Sequence, residues 1–114
     1  MKRVAFFLSA LLLSVSSSHA TPFTTSGTVY TLQTHDLVSS GSDADWFSLV
    51  GVTSLGTCPT GDGGNVVFAL RDDQNGQRMF SLVLAAKSAG TILTVRVDDT
   101  LKNSTGNCYA RAVF

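Results

Sequence analysis

The alternation of apolar and polar residues along the chain predicts five β-strands. It is clearest between Thr91 and Asp99, where every second residue from Leu93 to Val97 falls on one side of the strand. Four other stretches, rich in β-branched and aromatic residues, have a similar character. The predicted strands are 27–38, 46–52, 66–71, 91–99 and 108–114. Polar or glycine-rich segments predict a loose N-terminal arm at 21–27, a long loop at 54–65 and a turn-rich loop at 100–107.

The stretch from Asp72 to Gly90 fits two different structures. Asn75-Gly76 between apolar runs is typical of a β-hairpin turn, but the second strand would then pass through 85–89, "AAKSA", which is poor strand material. As a helix the same stretch has Asn75 as its N-cap and Gly90 just past its end. Its apolar face, at helical spacing, consists of Met79, Val83 and Ala86. The pattern therefore favours the helix, and it leaves Leu84 on the outer side.

The resulting order is strand, strand, strand, helix, strand, strand. This is the element order of an OB-fold, a small barrel of five strands whose helix falls between the third and fourth strands. The sequence therefore predicts a mainly β (α+β) domain with one helix and a small OB-like five-stranded barrel.

Residues 1–20 have the three parts of a Sec-type signal peptide. Lys2 and Arg3 precede an apolar run from Val4 to Leu13, and Ser18-His19-Ala20 resembles a cleavage site. The run is too short to span a bilayer of about 30 Å. We expect cleavage after Ala20, a single OB-like domain over 21–114, no membrane span, and a secreted or periplasmic location.

Two cysteines, Cys58 and Cys108, follow that segment. In an exported chain an even count predicts a disulfide, and closing a loop of about fifty residues stabilises a fold by about 4 kcal/mol. Neither cysteine has a second Cys or His nearby, so the spacing does not predict a metal site.

The charge pattern argues against polyanionic partners. Of the eight Lys and Arg residues, Lys2 and Arg3 belong to the signal segment, which leaves six bases against eight aspartates over 21–114. These bases are dispersed along the chain. We therefore expect neither nucleic acid nor an anionic membrane surface as a partner.

Candidate catalytic residues are few. His35 beside Asp36 could belong to a hydrolytic triad, but no G-x-S-x-G elbow is present to position a serine. The paired aspartates at 43/45 and 98/99 do not match calcium-loop spacing. The glycines of 60–65 match no phosphate-binding motif, and we expect them to allow a flexible loop around the disulfide. We expect a non-catalytic protein with no cofactor and no metal, and a hydrolase built on His35 and Asp36 is the alternative.

An aromatic residue beside carboxylates suggests a ligand site. Sugars stack on aromatic faces while nearby carboxylates accept their hydroxyl hydrogen bonds. Trp46 follows Asp43 and Asp45 at a loop–strand junction, and Tyr30 is a second candidate platform. The alternative for Trp46 is to anchor a small core.

The second half of the chain carries a family resemblance. The segments "QRMFSLVLAAKSAG", "TILTVRVDD" and "GNCYARAVF" form a helix, a strand and a returning strand in an exported chain with two cysteines. In element order, length and the helix–glycine–strand junction, Val66–Phe114 resembles the pentameric B subunits of bacterial two-component toxins, especially the subtilase-cytotoxin and pertussis-like branch. It is also similar to a diffuse group of uncharacterised small secreted proteins from Gram-negative bacteria. No glycan-contacting residue carries over position by position.

The resemblance implies a glycan-binding subunit that assembles as a ring of five copies, with Leu84 covered by a neighbour. The alternative from a different class is a periplasmic or secreted module, an inhibitor or an accessory factor, that binds a protein partner with the same fold.

Overall fold

The computed structural model describes residues 22–34 and 45–114. Its strands are β1 (Phe23–Gln33), β2 (Trp46–Leu49), β3 (Thr60–Asp62), β4 (Asn65–Ala69), β5 (Ile92–Lys102) and β6 (Cys108–Val113), and its helix is α1 (Gln74–Ala89). Residues 1–20, which the sequence predicts to be a signal peptide, lie outside the described residues, as do His35, Asp36 and Asp43.

Five of the strands close into a barrel. Their order is β2-β1-β5-β6-β4, and β4 pairs back onto β2 to complete the circle. Neighbouring strands are antiparallel except for β4 and β6, which run parallel. The sixth strand, β3, pairs with β4 outside the circle. The predicted fold class, a mainly β OB-like barrel with one helix between its third and fourth strands, is confirmed.

The helical interpretation of 72–90 is also confirmed, with a different first residue. Asp73, not Asn75, is the N-cap: its backbone is extended and its Oδ1 accepts a hydrogen bond from the Gly76 N–H at 2.8 Å. Gly90 takes the left-handed conformation, with φ 65°, that ends the helix. The buried face contains Val83 and Ala86, as the spacing predicted.

The barrel interior is filled by the inward side chains of the strands and of α1. Phe47 and Phe68 stack at its centre with their ring centroids 5.1 Å apart. Cys58 and Cys108 form the predicted disulfide, with their Cα atoms 5.5 Å apart. Both cysteines are buried in this core, so the bridge ties the loop before β3 to the start of β6.

The predicted loose arm at 21–27 is wrong, because β1 begins at Phe23. Residues 23–28 pair with 92–97 of β5 in an antiparallel ladder, and the hydroxyls of Ser26 and Thr94 lie 2.9 Å apart across it. The polar composition that suggested an arm belongs to the solvent side of this ladder. These residues form a strand because β5, which is distant in sequence, pairs with them. The local sequence pattern does not show this pairing.

The predicted 54–65 loop contains a short hairpin. Gly63 and Gly64 both have positive φ, 61° and 83°, and form the tight turn between β3 and β4. The glycines therefore serve a defined turn and not a flexible excursion. Two other predicted bounds shift: β2 stops at Leu49 before a turn at Gly51, and β5 continues to Lys102 through residues predicted as loop.

The predicted strict alternation of β6 is interrupted. Val97 pairs with Ala110 and Arg96 pairs with Ala112, so Arg111 is an extra residue with no partner across the ladder. Because of this bulge, Val113 returns to the core side with Cys108 and Ala110. Among the residues that the structure describes, no helix is long and apolar enough to cross a bilayer.

Candidate functional site

Trp46 lies on the outer surface of the barrel. Side chains alternate along a strand, and Phe47 and Leu49 of β2 point into the core, so Trp46 and Ser48 point outward. Trp46 is half-buried, opposite Gln33 of β1 and Ala69 of β4. It therefore presents part of its ring to solvent and does not fill the core, contrary to the alternative interpretation.

Tyr30 lies on the same outer surface, in an irregularity of β1. Val29 pairs with Leu49 and Thr31 pairs with Ser48, which leaves Tyr30 between two ladder positions. Its side chain is 50% exposed. The ring lies against the β3–β4 turn, since a Cβ built on Gly63 would lie 3.6 Å from the Tyr30 hydroxyl.

A hydrogen-bonded polar pair, with one buried and one half-buried residue, lies between these two aromatic residues. Ser48 is fully buried although it points outward, because the β3 hairpin covers it. Its hydroxyl donates a 2.7 Å hydrogen bond to Oδ2 of Asp62. The hydrogen bond satisfies the hydroxyl in its buried position and fixes the Asp62 carboxylate beside the turn that Tyr30 contacts.

We call Tyr30, Trp46, Ser48 and Asp62 the aromatic face. Trp46 is level with Gln33, three residues along β1 from Tyr30, so the two backbone positions are roughly 10 Å apart at 3.3 Å per residue and the rings are separate platforms. Between them lies an oriented carboxylate. An apolar ring face next to a fixed acceptor suits a ligand that carries both C–H faces and hydroxyl groups.

The predicted site is only partly reproduced by this arrangement. Trp46 and Tyr30 are brought to one surface. Asp45 is half-buried just before β2, and its carbonyl accepts a hydrogen bond from the Leu70 N–H at 2.9 Å. Asp43 lies outside the described residues. Ser48 and Asp62 were missed, because Asp62 belongs to a stretch that the sequence predicts as loop. The Gly63-Gly64 turn signal could have located its hairpin.

A cleft lined by two arginines lies next to the end of β4. Ala69, fully buried, lies between Trp46 on β2 and Tyr109 on β6. The Arg71 guanidinium lies over the Tyr109 ring, 4.4 Å from its centroid. Beyond it, a cleft of about 340 Å³ separates the first turn of α1 from β6, and both Arg71 and Arg111 line it.

The adjacent aspartates at 98 and 99 are engaged within the fold. Asp98 Oδ1 accepts hydrogen bonds from the hydroxyl and the N–H of Thr100, and these lower the pKa of this exposed carboxyl. Asp99 Oδ2 accepts from the N–H and hydroxyl of Thr57 at 3.0 and 3.1 Å. Within residues 22–34 and 45–114, no group of three His, Cys, Asp or Glu side chains could hold a metal ion.

Comparison with known proteins gives no relative. No protein-family model matches the chain, and no curated protein or solved structure matches it either. The geometry of the aromatic face and of the cleft is therefore the basis for a proposed function.

Proposed function

We propose that this protein is an exported, non-catalytic domain that binds a glycan on the aromatic face. The observation that carries the proposal is the placement of Trp46 and Tyr30 on one outer surface with the Ser48–Asp62 hydrogen bond between them. OB-folds bind oligosaccharides on the face of their second and third strands. In this barrel those strands are β2 and β4, which carry or adjoin these residues.

The contacts available on the aromatic face suit a neutral sugar. A pyranose ring has an apolar face of C–H groups, and this face can stack on the exposed part of the Trp46 ring. Asp62 accepts the Ser48 hydrogen bond with Oδ2. Among the described residues no donor to Oδ1 is seen, so Oδ1 can accept a hydrogen bond from a sugar hydroxyl. Because Asp62 is already oriented, little side-chain entropy is lost on binding.

Trp46→Ala should weaken binding of the glycan that a broad panel identifies by about tenfold or more, which is about 1.4 kcal/mol. The loss follows from removing the larger stacking platform, and titration calorimetry with the best glycan of the panel measures it. Phe114→Ala is the matched control, because Phe114 is a 65% exposed aromatic residue that directly follows β6 and lies outside the aromatic face. A panel without any binder, or equal affinity of Trp46→Ala and the unmodified protein, would refute the proposal.

We further propose that the domain assembles as a ring, as the toxin subunits that it resembles do. On the outer side of α1, Leu82 and Leu84 are 52% and 48% exposed, and neighbouring copies in a ring would cover them. Multivalent rings raise the apparent affinity for a surface of clustered ligands without new contacts.

Light scattering of the oxidised protein should give a mass about five times that of one chain. Leu84→Glu should shift the mass toward that of one chain, because a charge would be buried at the contact. Ser104→Glu adds the same charge to an exposed position outside α1, in the loop between β5 and β6, and should leave the mass unchanged. A monomeric mass for the unmodified protein would exclude the ring. The glycan proposal would not be affected, because the glycan panel tests it separately.

A further inference from the structure

Strand β6 is longer than its pairing with β4. It pairs with β5 over most of its length, but with β4 only at two positions, Phe68 opposite Cys108 and Ala69 opposite Tyr109. Beyond them β4 has ended, and the chain turns away through Arg71 toward α1. The β4 side of β6 is therefore outside the ladder from Ala110 onward, in a barrel that is otherwise closed.

The cleft lies along this open side. Ala110 and Arg111 of β6 form one wall, and Gly76 and Met79 from the start of α1 form the other. Its volume, about 340 Å³, is at the lower end of the range for ligand sites and suits a short segment. Arg111 is the bulged residue of β6, without a partner in the ladder to β5 or in the ladder to β4.

The cleft has an excess of positive charge. Two guanidiniums line it, Arg71 held over the Tyr109 ring and Arg111 on the bulge. The one carboxylate among the lining residues, Asp73, already accepts the hydrogen bond that caps α1. Asp73 keeps its negative charge, so the lining residues carry two positive charges and one negative charge, and this net positive charge favours an acidic ligand. Asp98 lies outside the cleft and lines a neighbouring pocket together with Arg111.

We propose that the cleft binds a short extended peptide that pairs with the open side of β6 and carries an acidic side chain. Addition of a strand to a free sheet edge supplies main-chain hydrogen bonds, and alternate side chains of the added strand supply specificity. An outward-pointing Glu or Asp of the peptide would lie beside Arg111, the residue next to it on β6. Arg71 would lie near the same carboxylate, at the end of the cleft. The flanking residues point the other way, toward Met79 and Ala110, and are apolar.

The open strand edge is the reason to choose a peptide as the ligand. A free carboxylate or phosphate would use the two guanidiniums but would leave the unpaired side of β6 unused. A peptide of alternating apolar and acidic residues uses both features. The peptide contacts differ from those of the aromatic face, so the peptide proposal stands whether or not a glycan binds Trp46.

The test is a titration of the oxidised protein with the blocked peptide Thr-Val-Glu-Val-Thr, followed by the backbone amide NMR signals. We expect shifts confined to 110–113 and the start of α1, with saturation at about 1 mM peptide, the range of a weak contact. Arg111→Gln should weaken binding at least tenfold. Arg78→Gln, at an exposed position of α1, should leave it unchanged. Thermal melting of both variants shows whether they fold.

Modified peptides separate strand pairing from charge attraction. Replacing Glu by Lys in the peptide should abolish binding. Methylating alternate backbone nitrogens, in two peptides that cover both alternations, should abolish binding for the one whose N–H groups face β6. Equal binding of both methylated peptides, or equal shifts with inorganic phosphate alone, would mean a simple anion site and overturn the proposal. So would the absence of any shift at 110–113.

Discussion

Replacing both cysteines, Cys58→Ala with Cys108→Ala, should lower the free energy of unfolding by about 4 kcal/mol. The disulfide closes a loop with a sequence separation of 50 residues, and its removal restores the conformational freedom of that loop to the unfolded chain. In a domain of this size the loss corresponds to a fall of about 15–30 °C in the melting temperature. Circular dichroism during heating measures it.

The position of the bridge makes this effect large for the barrel. Cys108 also forms the first of the two residue pairs that join β6 to β4, the shortest ladder in the circle. Losing the disulfide therefore weakens the shortest ladder of the barrel. A reducing agent should lower the melting temperature of the unmodified protein and leave the double variant unchanged. Equal melting temperatures of the two oxidised proteins would contradict the prediction.

Gly76→Ala should destabilise the fold by about 3 kcal/mol, the upper part of the usual range for overpacking. A Cβ on Gly76 would overlap the backbone carbonyl of Arg71, and a backbone atom cannot move aside as the end of a side chain can. Gly76 is buried in the first turn of α1, so the whole junction between β4 and α1 has to shift. Urea unfolding followed by tryptophan fluorescence measures the change.

Gly61→Ala is the matched control for this substitution. A Cβ on Gly61 would meet only a methyl group of Val67, at 3.4 Å. We expect a change within about 0.5 kcal/mol, as for most surface positions. If Gly76→Ala and Gly61→Ala unfold at the same urea concentration, the close approach of α1 to Arg71 does not contribute to stability.

Gly76 also explains why the sequence supports two structures around Asn75. The dipeptide Asn75-Gly76 has the composition of a tight turn, but the glycine is needed for close packing of α1 against the chain after β4. The poor strand propensity of 85–89 and the glycine at position 90, which takes the left-handed conformation, indicated the helix more reliably than Asn75-Gly76 indicated a turn. The true N-cap, Asp73, has the same preference for this position as Asn75, so composition alone could not separate them.

Two of the remaining differences depend on contacts between distant residues. The first half of β1 is a strand because β5 pairs with it. The bulge at Arg111 arises because the register between β5 and β6 shifts by one residue at that position. Neither is encoded within a few neighbouring residues. Only the rings of the aromatic face were predicted. The Gly63-Gly64 turn signals the β3 hairpin, but nothing local to that turn shows that Asp62 meets Ser48 on β2.

The pairing of β1 with two different strands has a consequence for synthesis, in which the N-terminal part of a chain emerges first. The second half of β1 has its partner β2 shortly afterwards, whereas residues 23–28 wait for 92–97, nearly the whole domain later. During that interval they are an unpaired strand edge, the kind of segment that joins other chains into aggregates. Their sequence, "FTTSGT", has one large apolar residue among hydroxyl groups and a glycine. The composition that gives this strand no strand-like pattern is thus also one that disfavours aggregation until β5 is made.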